Sequence, residues 1–506
     1  MESGRAAAGG VLAAACISTF VVNANTSAVT ILLPTMSEDT GASVSQLQWA
    51  VTGYMLVGAA VIVTSGALGD VFGRRRVFLG GLLLFIASCA LIALSTGGAG
   101  IIVGRLIQGA AGATIVACGM SLLSVAASGK GQMKAITLWG AASAAGAAMG
   151  PLIGGALVDL SGWQGLFWLD GAIAAGCVVL AVAKVEESSD PERSRSIDFA
   201  GTVLIAAIFV PLVLGFSEGA DWGWTSAATL GCFVGSVVGA VLFVIVEKRV
   251  SAPIVDLDLL RNQVLVGATL AILIVAGTIN GLMYVLSLYL QDSAAFGLSP
   301  LETGVATLPA AAAMIAVTPL ITPVAARIGT RLAIVAGFGL AAAGFGALAL
   351  VEASWSYGLL VLPLVALSVG LGLANGPASS ASTAAVPEEQ VGQASGISNM
   401  ARYIGGSVVV AAVATIFNSV TNDELASGAS RSDALASGVS RASLLMAVCC
   451  GLGIAIALLM ARHHQHRPTA IDRAAAAAGA ASHTIPTRPT RPHEKPGGQP
   501  GLVGGT

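Results

Sequence analysis

Long apolar runs broken by short polar segments recur along the chain. Fourteen such runs lie near 11–34, 47–69, 77–97, 99–122, 134–158, 164–184, 199–217, 227–247, 265–290, 302–325, 331–351, 356–378, 395–418 and 443–463. A helix needs about 20 apolar residues to cross the hydrocarbon core of a bilayer, so each run predicts one transmembrane α-helix. None alternates with period two, which excludes a β-barrel. Gly and Ala within the runs suit close helix–helix approach in lipid. The first run has the apolar character of a signal peptide; with so many spans following, it reads as an uncleaved first helix. Residues 464–506 break the pattern with Pro, Arg, His and an Ala run, and predict a disordered tail. His463, at the end of the last run, with His464 and His466 just beyond it, supports two readings, a metal site or a polar tail near the membrane surface, and the second is favoured.

Composition narrows the class. Of 506 residues, 55% are hydrophobic and 10% are charged, against roughly 25% charged in globular domains. That is too little charge to coat a soluble multidomain enzyme, and a disordered chain or a disulfide scaffold is equally excluded. The net charge of −2 gives no reason to expect a nucleic-acid partner.

Charge position then orients the spans. With the N-terminus in the cytoplasm, twenty of the 24 Lys and Arg fall on the cytoplasmic side, among them Arg74–Arg76, Lys130, Lys248, Arg327, Arg331 and the tail arginines. Arg431 and Arg441 fall outside, while Arg105 and Arg402 sit within spans. This is a positive-inside bias, and an even span count puts both termini in the cytoplasm. Trp49, Trp163, Trp168, Trp222, Trp224 and Trp355 cluster at or near predicted external ends, like an aromatic belt. All seven cysteines lie inside spans and read as small buried apolar residues. Apart from His463 at the very end of the last run, the spans carry no His, and they hold no acid pair and no metal-ligand set, so neither a metal, a cofactor nor intramembrane catalysis is expected.

An internal repeat divides the chain. The loop after the second span reads Gly69-Asp70-Val71-Phe72-Gly73-Arg74-Arg75-Arg76, and that after the tenth reads Ala325-Ala326-Arg327-Ile328-Gly329-Thr330-Arg331. Gly73 matches Gly329, and Arg75 matches Arg331. Each loop follows the second helix of a six-helix block, leaving spans 7 and 8 as a connecting pair. The expected organisation is a cytoplasmic N-terminus (1–10), a six-helix bundle (11–184), a linker with two extra spans (185–264), a second six-helix bundle (265–463) and the tail (464–506). Duplicated halves around a central cavity are a common build for secondary transporters.

Specific motifs sharpen this. The stretch Gly66-Ala-Leu-Gly-Asp70-Val-Phe-Gly73-Arg74-Arg75-Arg76 resembles the loop 2–3 signature of the major facilitator superfamily. Ile101-Ile-Val-Gly-Arg105-Leu-Ile-Gln108-Gly109-Ala-Ala-Gly112-Ala113 resembles its span-4 motif. Gly146-Ala-Ala-Met-Gly150-Pro151-Leu-Ile-Gly154-Gly155 resembles the span-5 motif of its antiporters. Leu288-Tyr-Leu-Gln291, Gly297-Leu-Ser299-Pro300-Leu301 with Gly304, Leu308-Pro309, and Gly392-Gln-Ala-Ser-Gly396 with Asn399, Arg402 and Gly405-Gly406 are similar to the fourteen-span drug/proton antiporter branch. The resemblance covers roughly residues 11–463. It implies an all-α membrane protein with the major facilitator fold, two six-helix bundles plus a two-helix insert. It also implies proton-coupled efflux of small amphiphilic, multidrug-type substrates by alternating access, with protons and membrane lipids as the other partners. A dedicated exporter of an endogenous lipid or metabolite, a facilitator without proton coupling, and a membrane scaffold stay open as alternatives. Arg outnumbers Lys 19 to 5, a composition resembling a GC-rich bacterium, so the expected location is a bacterial plasma membrane.

The resemblance assigns roles to residues that also have plainer readings. Asp70, Gly73, Arg74 and Arg75 would form a conformational latch, or the arginines simply satisfy the positive-inside rule; Ala326 stands at the latch acid's position in the second half. Gly146, Gly150 and Gly154 are four apart and share one helix face, beside Pro151 and Gly155, which suits packing and gating equally. Arg105 is either a cavity-facing cation coupled to a carboxylate or an Arg snorkelling to the interface.

The chain departs from the branch where an Asp is usual in span 1. Aligned on Leu32-Leu33-Pro34, that position holds Asn25, and Thr30 stands where the family often has Asn. Asp170 instead lies in the sixth span, where the family usually has Asn, near the depth of Arg105. Acid and amide have exchanged places. Asp170 is therefore the candidate proton carrier, with Arg105 as its partner; the alternative is a hydrated interfacial acid without a coupling role. Cavity candidates are Asn25, Tyr54, Gln108, Asn280, Met283 and Tyr284, each equally readable as an interhelical contact.

Overall fold

A computed structural model describes residues 2–126, 129–189, 198–250, 253–387 and 390–460. The tail from 461 onward lies outside the described residues, and with it the three-histidine question. The described residues form fourteen long helices, each apolar enough to cross a membrane. They are α1 (Glu2–Thr40), α2 (Val44–Phe72), α3 (Arg74–Ala93), α4 (Gly98–Ala126), α5 (Gly129–Ser161), α6 (Gln164–Lys184), α7 (Phe199–Trp222), α8 (Ala227–Glu247), α9 (Gln263–Gln291), α10 (Pro300–Ile328), α11 (Thr330–Leu348), α12 (Tyr357–Ala384), α13 (Val391–Ala426) and α14 (Arg431–Leu459). Every apolar run of the sequence becomes one helix, so the fold class is as expected.

Local chemistry sets the helix ends. Ser43 and Gln46 form a reciprocal capping box at the start of α2, and Ser299 with Glu302 forms another at α10 behind a Pro at the first turn. Gly73 (φ 107°) and Gly329 (φ 86°) separate α2 from α3 and α10 from α11. That backbone region excludes most side chains, so the glycines that align in the repeat also turn the chain in the same way.

One boundary differs from expectation. The sequence leaves 419–442 as an external loop, yet α13 runs to Ala426 and α14 begins at Arg431. Arg441 thus sits inside α14, on an exposed position. A hydropathy run ends where polar residues begin, whereas a helix ends where its hydrogen bonds do. Here Ser430 accepts from the Asp433 N–H to cap α14, and Gly428 (φ 91°) supplies the turn. The aromatic belt is also incomplete. Trp168, Trp222 and Trp224 are exposed, but Trp163 is buried and donates Nε1–H to Asp39 Oδ2 at 2.8 Å.

The packing repeats the sequence duplication. Within the first six helices α1 packs on α5, α2 on α4, and α3 on α4 and α6. Among α9–α14, α9 packs on α13, α10 on α12, and α11 on α12 and α14. Adding eight to each helix number converts one set into the other. The two bundles meet through α2 against α13 and α5 against α10, seams that the same rule interchanges. The hairpin α7–α8 lies outside this scheme. α7 packs on α2 and α13, while α8 exposes Leu230, Val234, Val237, Val238, Val241 and Leu242, a face suited to lipid.

Candidate functional site

A buried polar chain crosses the first bundle. Arg105, in the third turn of α4, donates Nε–H to the Ala50 carbonyl of α2 at 2.9 Å. Its Nη1 donates to Asn25 Oδ1 of α1 and to Gln108 Oε1, both at 2.5 Å. The Asn25 amide then donates Nδ2–H to Asp170 Oδ2 of α6 at 2.7 Å. Gln108 continues the chain to Cys89 Sγ of α3 at 3.1 Å. Arg105, Asn25 and Gln108 are fully buried and Asp170 is 4% exposed. Only one orientation of the Asn25 amide satisfies both neighbours, because a guanidinium only donates and a carboxylate only accepts. The cation and the anion are therefore joined through a neutral amide. Both charged side chains are buried among the helices rather than exposed at the protein surface.

Glycines build the cradle around this chain. The Arg105 guanidinium lies over the Tyr54 ring, 4.2 Å from its centroid. A Cβ at Gly109 would strike the Tyr54 carbonyl, and one at Gly112 would lie 2.6 Å from its hydroxyl. The span-4 motif thus holds both the cation and the space for its aromatic partner. The glycines of the span-5 motif act on the same site from behind. Gly146 abuts the Phe20 carbonyl and Gly150 the Ala24 carbonyl, while a Cβ at Gly154 would sit 2.9 Å from that of Ala28. These α1 residues are four apart, so α5 is seated along the helix that carries Asn25. Gly155 faces the other bundle. A Cβ there would come 2.6 Å from Leu301 Cα, and one at Gly304 would come 2.7 Å from the Pro151 carbonyl.

The basic loops are equally specific. Asp70 pairs with Arg74 at 2.9 Å. The Arg74 N–H donates to the Ser188 carbonyl at 2.8 Å, and the Arg75 N–H to Glu187 Oε1 at 3.0 Å. Arg75 Nη2 donates to the Val182 carbonyl in the last turn of α6 at 2.7 Å. Arg331, its repeat partner, donates Nη2–H to the Leu458 carbonyl in the last turn of α14. In each half, then, a matched arginine caps the C-terminus of the sixth helix, where free carbonyls and the helix dipole favour a cation.

The sequence profile described as Major Facilitator Superfamily matches residues 15–410. The chain belongs to that superfamily. It is 32% identical over 417 residues to the tetracenomycin C resistance and export protein of Streptomyces glaucescens, covering 81% of this chain and 76% of that one. It is also 32% identical over 406 residues to the multidrug resistance protein Stp of Mycobacterium tuberculosis, covering 80% and 75%. Among solved structures, a bacterial homologue of the human lysosomal transporter Spinster, inward-facing and unoccupied, superposes with a TM-score of 0.65 at 15% identity, covering 90% of this chain and 97% of that one. The last likeness is one of fold.

Within this superfamily fold the remaining candidates separate. Asn280 and Met283 lie on the partly accessible face of α9, with Leu273 and Ala276. Asn280 donates to the Ala276 carbonyl at 2.8 Å. Tyr284, like Asn25, Tyr54 and Gln108, is fully buried. The sequence reading missed Asn23 and Ser27, on the accessible side of α1. It also missed Asn375 and Ser379 of α12, which accept hydrogen bonds from Arg402 at 3.0 and 2.7 Å. An Asn and a Ser four residues apart, hence on one helix face, were the available signal.

Proposed function

We propose that the protein is a multidrug-type efflux transporter of a bacterial plasma membrane, exchanging small amphiphilic molecules for protons by alternating access. Relatives named for antibiotic export and multidrug resistance support export. The membrane face bearing Arg74–Arg76, Lys184, Lys248 and Arg331 is assigned to the cytoplasm, with both chain termini on that side. Residues 11–184 and 265–463 are taken as the rocking bundles, 1–10 as a cytoplasmic lead, 185–264 as the linker with the insert, and 464–506 as a cytoplasmic tail. Asp70, Gly73, Arg74 and Arg75 serve as the latch, and Gly146, Gly150, Pro151, Gly154 and Gly155 hold α5 to α1 and α10.

The Arg105–Asn25–Asp170 chain carries this reading. With Asp170 ionised, the buried cation and anion offset each other through the Asn25 amide. A proton on Asp170 removes the anion and leaves Arg105 an uncompensated charge in a helix bundle flanked by lipid, which is costly. The two protonation states thereby favour different arrangements of the bundle, which is what coupling requires. Arg105 acts by holding charge, Asn25 by transmitting it, and Asp170 by accepting the proton.

The test is proton antiport in proteoliposomes under an imposed pH gradient, with a lumenal pH dye reporting proton release when an amphiphilic dye is added. The wild-type protein is expected to couple the two fluxes. Asp170→Asn is expected to bind the dye yet show no gradient-driven transport; wild-type antiport in that variant would overturn the assignment.

A further inference from the structure

Charge inside the second bundle is scarce and one-sided. Neither α9 nor α12 contains an Asp, Glu, Lys or Arg, and the ionisable residues of α10 and α11 lie in their terminal turns. α13 carries Arg402 about a third of the way along and its acids, Asp423 and Glu424, in the last turn. Arg441 of α14 is exposed. Arg402 is thus the partly buried cation of this bundle, and among the described residues no carboxylate pairs with it. In the first bundle the corresponding charge, Arg105, is offset by Asp170 and sealed from solvent.

The placement of Arg402 directs it inward. On α13, Thr415 donates to the Phe216 carbonyl of α7. Tyr403 and Gly406 meet α2 at Gly58 and Met55, and Gly405 meets the Leu273 carbonyl of α9. At about 100° per residue, Arg402 projects from the arc between α2 and α9, away from α7. It reaches Asn375 and Ser379 on α12, on a face adjacent to the one that meets α10 through Gly372 and Gly376. All three side chains are partly accessible. A guanidinium has five N–H donors. Asn375 and Ser379 take one each, and both are neutral oxygens, so they orient the fork without offsetting its charge. Helix α9, which Gly405 of α13 meets at the Leu273 carbonyl, carries Leu273, Ala276, Asn280 and Met283 on its partly accessible face.

We propose that Arg402, oriented by Asn375 and Ser379, docks the anionic oxygen of an acidic amphiphile, a carboxylate or a phosphate ester, and that the transporter exports such molecules in preference to lipophilic cations. The proposal rests on the export reading above. A planar fork suits bidentate recognition of either anion, and Leu273, Ala276 and Met283 on the partly accessible face of α9 offer apolar surface for the tail. A lipophilic cation would meet an uncompensated positive charge, and among the described residues the acids of this bundle's helices lie in their terminal turns.

The probes share one fluorophore: dansyl-aminoundecanoic acid, its methyl ester, its quaternary ammonium analogue, and a dansyl-labelled phosphatidic acid. Binding to purified protein is read by energy transfer from tryptophan, and flux is read in proteoliposomes. The wild-type protein is expected to bind the carboxylate at least about tenfold more tightly than the quaternary ammonium. Arg402→Gln is expected to weaken the carboxylate about tenfold to a hundredfold and to spare the ester; Arg402→Lys is expected to recover part of the loss. Binding of the phosphatidic acid in the same Arg402-dependent way assigns a lipid source, and binding of the free acid alone assigns a soluble one. Equal carboxylate binding in wild type and Arg402→Gln, with ester binding intact in both, overturns the proposal, as does preference for the quaternary ammonium. Arg402-dependent binding without flux of any probe overturns the export reading while leaving the anion site standing.

Discussion

Asn25 Nδ2 donates to Asp170 Oδ2 at 2.7 Å, so the two positions at which the resemblance implies an exchange of acid and amide are in direct contact. On that reading the exchange runs across a single hydrogen bond. The pair remains one amide and one carboxylate, in reach of one arginine.

Restoring the usual placement should therefore be tolerated as a unit. The double variant Asn25→Asp/Asp170→Asn is expected to keep gradient-driven transport within a few-fold of wild type. Asn25→Leu is expected to lower stability by about 3–5 kcal/mol, since it strips Arg105 and Asp170 of their shared partner. Melting temperatures by size-exclusion chromatography, together with proteoliposome flux, check both. A double variant no better than the worse single one would mean that the positions are not interchangeable.

Packing of α1 on α5 should be intolerant of bulk. Gly150→Val places atoms against the Ala24 carbonyl and Ser27, and overpacking of this kind costs about 1–3 kcal/mol. The shift displaces the helix bearing Asn25, so transport is expected to fall with the melting temperature. Gly9→Ala, where a Cβ meets nothing, is the matched control.

The seam between α5 and α10 should respond differently. Gly155→Val and Gly304→Val each push apart the two bundles rather than two helices of one bundle. Accessibility of a Ser27→Cys reporter in a cysteine-free background to an impermeant thiol reagent, added from the face opposite the basic loops, is expected to rise in both. Unchanged labelling would show that this contact does not close that face.

One ion pair gives a pH signature. Asp292, after α9, binds Arg431 at the start of α14 at 2.6 Å. Burial alone would raise the Asp292 carboxyl; hydrogen bonds from Arg431 and the Ala294 N–H outweigh it and hold it below the ordinary carboxylate value. A carboxylate depressed in the folded state contributes stability above its unfolded value and loses it as pH falls through the folded one. Because Arg431 is 61% exposed, the pair contributes about 0.2–1 kcal/mol. Arg431→Gln is expected to lower the melting temperature slightly at neutral pH. The difference should shrink in high salt and vanish once Asp292 is protonated.

Finally, Arg75 and Arg331 should be equivalent in effect though remote in sequence. Each caps the last turn of a sixth helix. Arg75→Ala and Arg331→Ala are each expected to cost about 0.3–1 kcal/mol and to add independently. A melting series of the two single variants and the double variant checks this.

The helices and their duplication were legible because membrane spans must be apolar throughout and satisfy their own backbone. The match of Gly73 with Gly329 and of Arg75 with Arg331 foretold equal geometry, since a positive φ and a free helix end each demand particular residues. The helical continuation through 419–442 was not legible, because hydropathy does not register a helix leaving the hydrocarbon. Asp170 and Arg105 were recognisable as charges at similar depth. That Asn25 joins them depends on how α1, α4 and α6 are rotated, and side-chain contact across three helices leaves no local pattern. Asn375 and Ser379 went unread because polar residues in a span acquire meaning only beside the cation they hold.

The insert helix α7 has a geometric consequence. Thr202 meets Thr64 of α2 at 2.5 Å, and the Phe216 carbonyl receives Thr415 of α13 at 2.8 Å, so one helix grips both bundles along a single seam. The pseudo-twofold would make the α2–α13 and α5–α10 flanks interchangeable. With α7 laid over one of them, the described residues form one flank covered by the insert and one that the insert leaves uncovered. A solute arriving sideways from the lipid meets a wall on the first and a bare joint on the second.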